Sequence, residues 1–376
     1  MPSRLCHPWT LWLSLCTVLA VVTLFPSCGK DKKAEAELPV RPVGRPMRLT
    51  LPLGLPPLPV PEDNPETVEA VALGRKLFYD VHLSGNNTMS CATCHNPGLG
   101  FSDPRRVSIG ANGKLGTRNA LSILNSAYLP VQFWDGRAIS LEEQAGGPMA
   151  NPVEMNQPHA VSVSKLNAMP SYRKEFEDAY GPGPVTIGKI KMALASFERT
   201  LLSGDSPFDH YQYGGDKSAM SASAIRGLAI FTDKNRGNCA VCHTIGEKYA
   251  LFTDGKFHNI GVAVDGNGNL IDLGRFEVTK LEADKGKFRT PTLRNIAKTA
   301  PYMHDGSEKS LKAVVDFYVG GGNSNAYLDP EIHSLELSAA GKADLIAFLQ
   351  SLSGTNLLDA SNPSDASIPS DASSDK

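Results

Sequence analysis

Two five-residue stretches, CATCH at 91–95 and CAVCH at 239–243, use four of the chain's seven cysteines. Two cysteines separated by two residues and followed at once by histidine form the attachment site of a c-type haem. The thiols add to the haem vinyl groups, and the short spacing sets the adjacent imidazole under the porphyrin as an iron ligand. Cys91, Cys94, Cys239 and Cys242 are therefore read as haem anchors, and His95 and His243 as ligands of the two irons. Zinc also accepts cysteine and histidine, but its ligand pairs usually lie closer together than these two motifs. A redox-active CxxC needs no histidine after it. Two covalently bound haems are the expectation. For the remaining position on each iron the sequence offers histidines 82, 159, 210, 258, 304 and 333, besides methionines and tyrosines. Spacing alone does not choose among them. Such a chain is either an electron carrier, with both irons closed, or a catalyst with one iron open to a small molecule.

The elements that must hold these groups come next. Apolar residues recur at helical spacing in PETVEAVALGRKLFYD, IGKIKMALASFERTLL, SAIRGLAIFTD, SLKAVVDFY and SAAGKADLIAFLQSLSG. Glycine- and proline-rich loops separate them and no run of alternating strands appears, so the fold class is mainly α. Each CxxCH motif follows a helix and occupies its own half, 61–209 or 210–356. Cys6, Cys16 and Cys28 all lie ahead of this region. Arg4 precedes the apolar run LWLSLCTVLAVVTLF, and residues 1–28 read as an export signal. Cys28 can carry a lipid after cleavage, although Phe25 and Pro26 fit the usual approach to a lipidated cysteine poorly. Either form of processing places the folded part in the periplasm, free or lipid-anchored. Residues 29–60 are charged and then proline-rich, as in a tether, and the polar repeats of 357–376 read as a disordered tail. A formal net charge of -2 and the absence of a long basic run give no sign of nucleic-acid binding.

Longer stretches carry a resemblance. LGRKLFYDVHLS, CATCHNPGLGFSD, QFWDGRAISLEEQAGGPMANPVEM, SPFDHY, GRFEVT and FRTPTLRNIAKTAPYMHDGS resemble, in order, the bacterial dihaem cytochrome c peroxidase and MauG family. The resemblance runs from about residue 61 to residue 355. It implies two cytochrome c-like helical domains, each with one covalently attached haem, and an active site near the domain junction. His95 then belongs to the peroxidatic haem and His243 to the electron-transfer haem. Glu154 matches the family's distal glutamate, a carboxylate able to move a proton between the oxygens of peroxide. Read without the family, it is an ordinary loop carboxylate. Gln144 would hold the oxygen ligand by hydrogen bonding, and Trp134 would carry electrons between the haems. Asn119 and the carbonyls of Thr299 and Pro301 match a calcium site, and all three are the oxygen donors that a hard cation takes.

Two departures from the peroxidase pattern set the expected subtype. Where many members place a histidine that caps the first iron, SIGANGKLGTRN has Ala111, which cannot bind iron. His159 and His304 are the side chains that could swing in instead. Where the peroxidases cap the second haem with methionine, this chain has Tyr318, as MauG does. Leu311, Val314, Val315 and Tyr318 share one helix face, and Met303 is the rival ligand. The expected function is a periplasmic dihaem peroxidase that reduces hydrogen peroxide with electrons from a small c-type cytochrome or similar donor. The resemblance also admits a homodimer. One alternative is MauG-like oxidation of a partner protein or small substrate, although DKNRGN, just before CAVCH, lacks the tryptophan that MauG uses. Another is a non-catalytic dihaem carrier or sensor, which needs neither Glu154 nor Gln144.

Overall fold

The computed structural model describes residues 40–354; the export signal, Cys28 and the 357–376 tail lie outside the described residues. In chain order the helices are α1 (Val68–Tyr79), α2 (Cys91–Cys94), α3 (Leu141–Ala150), α4 (His159–Ala168), α5 (Pro170–Tyr180) and α6 (Ile187–Arg199). There follow α7 (Pro207–Gln212), α8 (Ala222–Thr232), α9 (Phe276–Thr279), α10 (Leu311–Val319) and α11 (Ala339–Gln350). The strands β1 (Phe257–His258) and β2 (Phe288–Arg289) pair antiparallel. All five segments with helical spacing form helices. α3 and α5 carry weaker sequence signals: α3 contains two glycines and Pro148, and α5 is largely polar. Tertiary burial of Leu141, Ala145 and Met149 from α3, and of Tyr172 and Phe176 from α5, outweighs those local preferences.

Two hydrophobic clusters form. Leu73, Leu77, Phe78, Phe101, Leu194 and Phe197 anchor the first, and Phe208, Phe231, Phe252, Leu345 and Phe348 the second. At the centre of each, two helices cross at a glycine. A Cβ on Gly74 of α1 would lie 1.8 Å from the Ala193 carbonyl oxygen of α6. A Cβ on Gly227 of α8 would lie 2.0 Å from that of Asp344 on α11. Only glycine permits either approach.

The second lobe repeats the first. Asn125, Phe133 and Gly136 have left-handed backbones at φ 59°, 66° and 68°, and their counterparts Asn295, Met303 and Gly306 stand at 60°, 70° and 65°. Ser140 caps α3 just as Ser310 caps α10. Asn125 N–H donates to the Leu201 carbonyl after α6, and Asn295 N–H to the Leu352 carbonyl after α11. The lobes also meet reciprocally. Asn119 N–H donates to the His304 carbonyl at 2.7 Å, and Arg289 N–H to the Trp134 carbonyl at 2.8 Å. Asn119 corresponds to Arg289 and Trp134 to His304, so the contact has the exchange pattern of a two-fold pair within one chain.

Residues 40–60, whose composition suggests a spacer, lie against both lobes. Val43 N–H donates to the Ala179 carbonyl, Leu53 exchanges hydrogen bonds with Asp205, and Tyr128 OH donates to the Pro56 carbonyl. The Gly54 carbonyl accepts from Arg294 at 2.7 Å. Arg294 is buried and also donates to both oxygens of buried Asp209, at 2.8 and 2.9 Å, and to the Ala250 carbonyl. This buried pair ties the segment to α7 and to the second core.

Candidate functional site

Each CxxCH motif turns its cysteine and histidine side chains into a cavity. The first cavity, of ≈ 490 Å³, is bordered by Cys91, Cys94 and His95 together with Gln144, Pro148, Glu154 and Glu198. The second, of ≈ 220 Å³, is bordered by Cys239, Cys242, His243, Met303, Tyr318 and Leu349. Trp134, Arg289 and Asn119 border both.

The histidines are prepared for metal in the same way. His95 Nδ1 lies 3.1 Å from the Phe101 carbonyl oxygen, and His243 Nδ1 lies 2.9 Å from that of Phe252. Both phenylalanines have left-handed backbones, at φ 56° and 52°, which turn their carbonyls back to the imidazole. With Nδ1–H donating there, Nε2 is left as the free donor atom. Burial lowers the pKa of both histidines, keeping the rings neutral as iron ligation requires. No disulfide ties up Cys91, Cys94, Cys239 or Cys242.

Polar groups that border the cavities without partners test whether haem fits. Gln144 Oε1 is buried and takes no hydrogen bond. The Arg289 guanidinium is buried and, among the described residues, donates only to the carbonyls of Phe133 and Thr290, each at 3.3 Å. No carboxylate among the described residues pairs with it, and burial alone pushes its guanidinium down to about 10. A buried cation without an anion is costly. A carboxylate-bearing cofactor in the cavities it borders would supply that anion, and the haem propionates are such groups. Motif reading missed Arg289 because an arginine's lack of a partner is not visible in sequence. The donor set fits two haems.

Glu154 and Gln144 come together at the first cavity from different elements, Gln144 from α3 and Glu154 from the turn after it. Glu154 Oε1 accepts from Asn151 Nδ2 at 2.8 Å, leaving Oε2 without a donor among the described residues. Burial raises the Glu154 pKa, against the opposing Asn151 hydrogen bond and the charge of Arg137. Ala111 N–H donates to the Glu154 carbonyl at 2.7 Å, so this loop is fastened beside the glutamate. His159 and His304, the side chains named above as substitutes for the missing cap, do not reach the first cavity. His159 Nε2 lies 2.7 Å from the Gly146 carbonyl oxygen and borders neither cavity. His304 borders the second cavity and stacks on Phe288 with ring centroids 3.6 Å apart. Its place in the second lobe is that of Trp134 in the first. Among the described residues, His95 is the one histidine at the first cavity.

Trp134 is fixed by Nε1–H donating to the Asn119 carbonyl at 2.9 Å, and its ring lies 6.3 Å from that of His304. Arg118 holds the loop of Trp134 by pairing with Asp135 at 2.6 Å and reaches the second lobe through Asp272 at 2.7 Å. Tyr318 enters the second cavity from α10, and burial raises its phenol pKa, with the neighbouring sulfurs of Cys239 and Cys242 adding to the effect. Met303 borders the same cavity. Asn119, Thr299 and Pro301 also border it. Asn119 Nδ2 donates to the carbonyls of Arg105 and Arg106, while Oδ1 accepts from no described residue. No group of three or more His, Cys, Asp or Glu able to hold a metal occurs among the described residues, and no described helix is long and apolar enough to cross a membrane.

Comparison with known proteins agrees with this geometry. A family model described as di-haem cytochrome c peroxidase matches residues 68–218. The methylamine utilization protein MauG of Methylophilus methylotrophus is 41% identical over 302 residues, covering 79% of this chain and 86% of that protein. The cytochrome c551 peroxidase of Nitrosomonas europaea is 37% identical over 296 residues, covering 79% and 83%. Among solved structures, a MauG-like protein associated with microbial copper homeostasis aligns with a TM-score of 0.77 at 34% identity, covering 85% of this chain and 99% of that one.

Proposed function

This chain belongs to the di-haem cytochrome c peroxidase family, and on that premise we propose that it reduces hydrogen peroxide in the periplasm with electrons from a small c-type cytochrome or similar donor. One observation carries the reading: the first cavity brings His95, the unpartnered Gln144 Oε1 and the Glu154 carboxyl together, with no second histidine among the described residues to close it. A haem held there by Cys91, Cys94 and His95 supplies an iron that activates peroxide and accepts electrons. Gln144 Oε1 accepts a hydrogen bond from peroxide and orients it. Glu154 Oε2 takes a proton from one peroxide oxygen and returns it to the other, which leaves as water. Reduction consumes two electrons and two protons for each peroxide. Trp134, bordering both cavities, is the route by which electrons pass from the second to the first.

A second haem would be held by Cys239, Cys242 and His243. Tyr318 would be its further ligand in this reading, as the family resemblance implies, and Met303, which borders the same cavity, is the rival. α10 corresponds to α3, the helix that brings Gln144 and Pro148 to the first cavity, and Tyr318 stands where Pro148 does. Met303 instead corresponds to Phe133 on the preceding loop. Calcium is assigned to Asn119 Oδ1 and the carbonyls of Thr299 and Pro301, the donor class a hard cation takes.

Ala111 and Tyr318 also favour a second reading, MauG-like oxidation of a partner protein or small substrate. Steady-state peroxide consumption with reduced c-type cytochrome, beside a control without donor, separates the two. Rapid cytochrome oxidation that depends on Glu154 supports the peroxidase. Negligible turnover from protein whose intact mass shows two haems refutes it.

A further inference from the structure

Glu198 is a buried carboxyl for which the proposed chemistry has no use. It lies on α6, is 6% exposed, and borders the first cavity one turn from Leu194. Its oxygens take no hydrogen bond from any described residue.

The internal repeat gives the position a reference. α6 corresponds to α11: Phe197 matches Phe348, Leu194 matches Leu345, and Glu198 matches Leu349. Leu345 and Leu349 border the second cavity as Leu194 and Glu198 border the first. The fold is thus satisfied by leucine at this place, and packing alone does not call for an acid. Burying a carboxyl where leucine serves costs stability.

Its surroundings oppose ionisation. Arg199, next on α6, is committed elsewhere: Nη1 donates to Glu66 at 2.5 Å and Nη2 to Glu142 at 2.6 Å. Glu66 precedes α1 and Glu142 sits on α3, so three carboxyls crowd one guanidinium. From α2 the facing group is the Cys91 sulfur, a neutral thioether once haem is attached. From α5 the Tyr180 hydroxyl lies at the Glu66 end of the cluster. The turn Ser126–Tyr128 contributes Ser126 Oγ, buried and unpartnered at the same cavity. The lysine of α4, Lys165, is engaged by Asn87 and Gln157. Burial, with Glu142 adding and Arg199 opposing, pushes the Glu198 carboxyl up to about 8, and burial pushes Glu66 up to about 7.

We propose that Glu198 is the redox-linked proton site of the first cavity, binding a proton when the haem there gains an electron and releasing it when peroxide reduction withdraws that electron. The balance is simple. One electron arrives from the cytochrome-class donor by way of the second haem, and one proton from solvent joins the Glu198 carboxylate. Glu142, the most exposed of the three acids, is the point of entry. The added electron removes a positive charge from the cavity, so the carboxyl holds its proton more tightly afterwards. By linkage, the potential of the first haem falls as pH rises across the interval between the two affinities, by at most one proton per electron. The proposal rests on the reading that the first cavity holds haem, which intact mass tests separately.

The experiment is a spectroelectrochemical titration of the two-haem protein from pH 5.5 to 9.5, comparing wild type with Glu198→Gln and Glu66→Gln. The wild-type potential of the His95 haem should fall with pH near neutrality and above. Glu198→Gln should flatten that slope, and Glu66→Gln should shift its position without removing it. If the Glu198→Gln variant fails to accumulate with two haems, redox-difference infrared spectroscopy of the wild type decides. A protonated-carboxyl band that grows on reduction of the His95 haem and shifts in deuterium oxide supports the assignment. An unchanged slope in Glu198→Gln, or the absence of that band, overturns it.

Discussion

Asn151 and Glu154 together give a test in which the direction of a pH shift matters more than loss of rate. Glu154→Gln keeps the side-chain volume and can still meet Asn151 at 2.8 Å, but an amide cannot carry the proton. General acid–base steps contribute roughly 10²–10⁴-fold, so kcat/KM for peroxide should fall by at least about 100-fold, or about 2.7 kcal/mol. Asn151→Ala leaves the carboxyl in place and removes its one donor. A hydrogen bond to a charged acceptor is worth about 1.5 kcal/mol at the low end, and 1.36 kcal/mol corresponds to one pH unit. Burial already raises the Glu154 pKa, and the Asn151 bond lowers it. Losing the bond raises it further. Glu154 works as a base only when ionised, so activity rises with pH through its pKa, and the acid limb of kcat/KM in Asn151→Ala should move upward by about one pH unit. The rate at high pH should recover toward wild type, which loss of folding would not allow. The assay is peroxide consumption with excess reduced cytochrome from pH 4.5 to 9. An acid limb that stays put or moves downward in Asn151→Ala, or near-normal kcat/KM in Glu154→Gln, would refute the assignment of Glu154 as base.

Other outcomes follow from the same geometry. With no histidine besides His95 at the first cavity among the described residues, the fully ferric protein should show a high-spin component and react with peroxide before any reductant is added; a wholly low-spin, inert ferric protein contradicts this. Tyr318→Met should raise the potential of the His243 haem, because an anionic oxygen favours ferric iron, while Met303→Leu should leave its spectrum unchanged. The reverse pattern would assign Met303 instead. Asp209→Ala strands the Arg294 guanidinium in the core and should destabilise the protein by about 3–5 kcal/mol in denaturant unfolding, whereas Asp209→Ala with Arg294→Met should recover much of the loss. A double variant no more stable than Asp209→Ala would show that Arg294 acts mainly through Gly54 and Ala250.

The haem-attachment pattern was legible in the sequence because it is local: two thiols and an imidazole within five residues need little beyond their own spacing. Helices α1, α6, α8, α10 and α11 were legible for a similar reason, since a buried face leaves a period of about four in the chain itself. Glu154, Gln144 and Trp134 were reachable only through resemblance to a family, as nothing in their neighbouring residues marks them as more than a loop acid, a helical amide and a core indole. Tertiary structure decided the rest. It brought Gln144 and Glu154 to one cavity, placed His159 and His304 away from it, and laid residues 40–60 across both lobes. It also left Arg289 without a carboxylate among the described residues and set Glu198 where the other lobe has Leu349. Burial and partnership depend on what the rest of the chain brings near. A charged residue is therefore spelled the same whether it is solvated, paired or stranded, and the fold alone makes the difference.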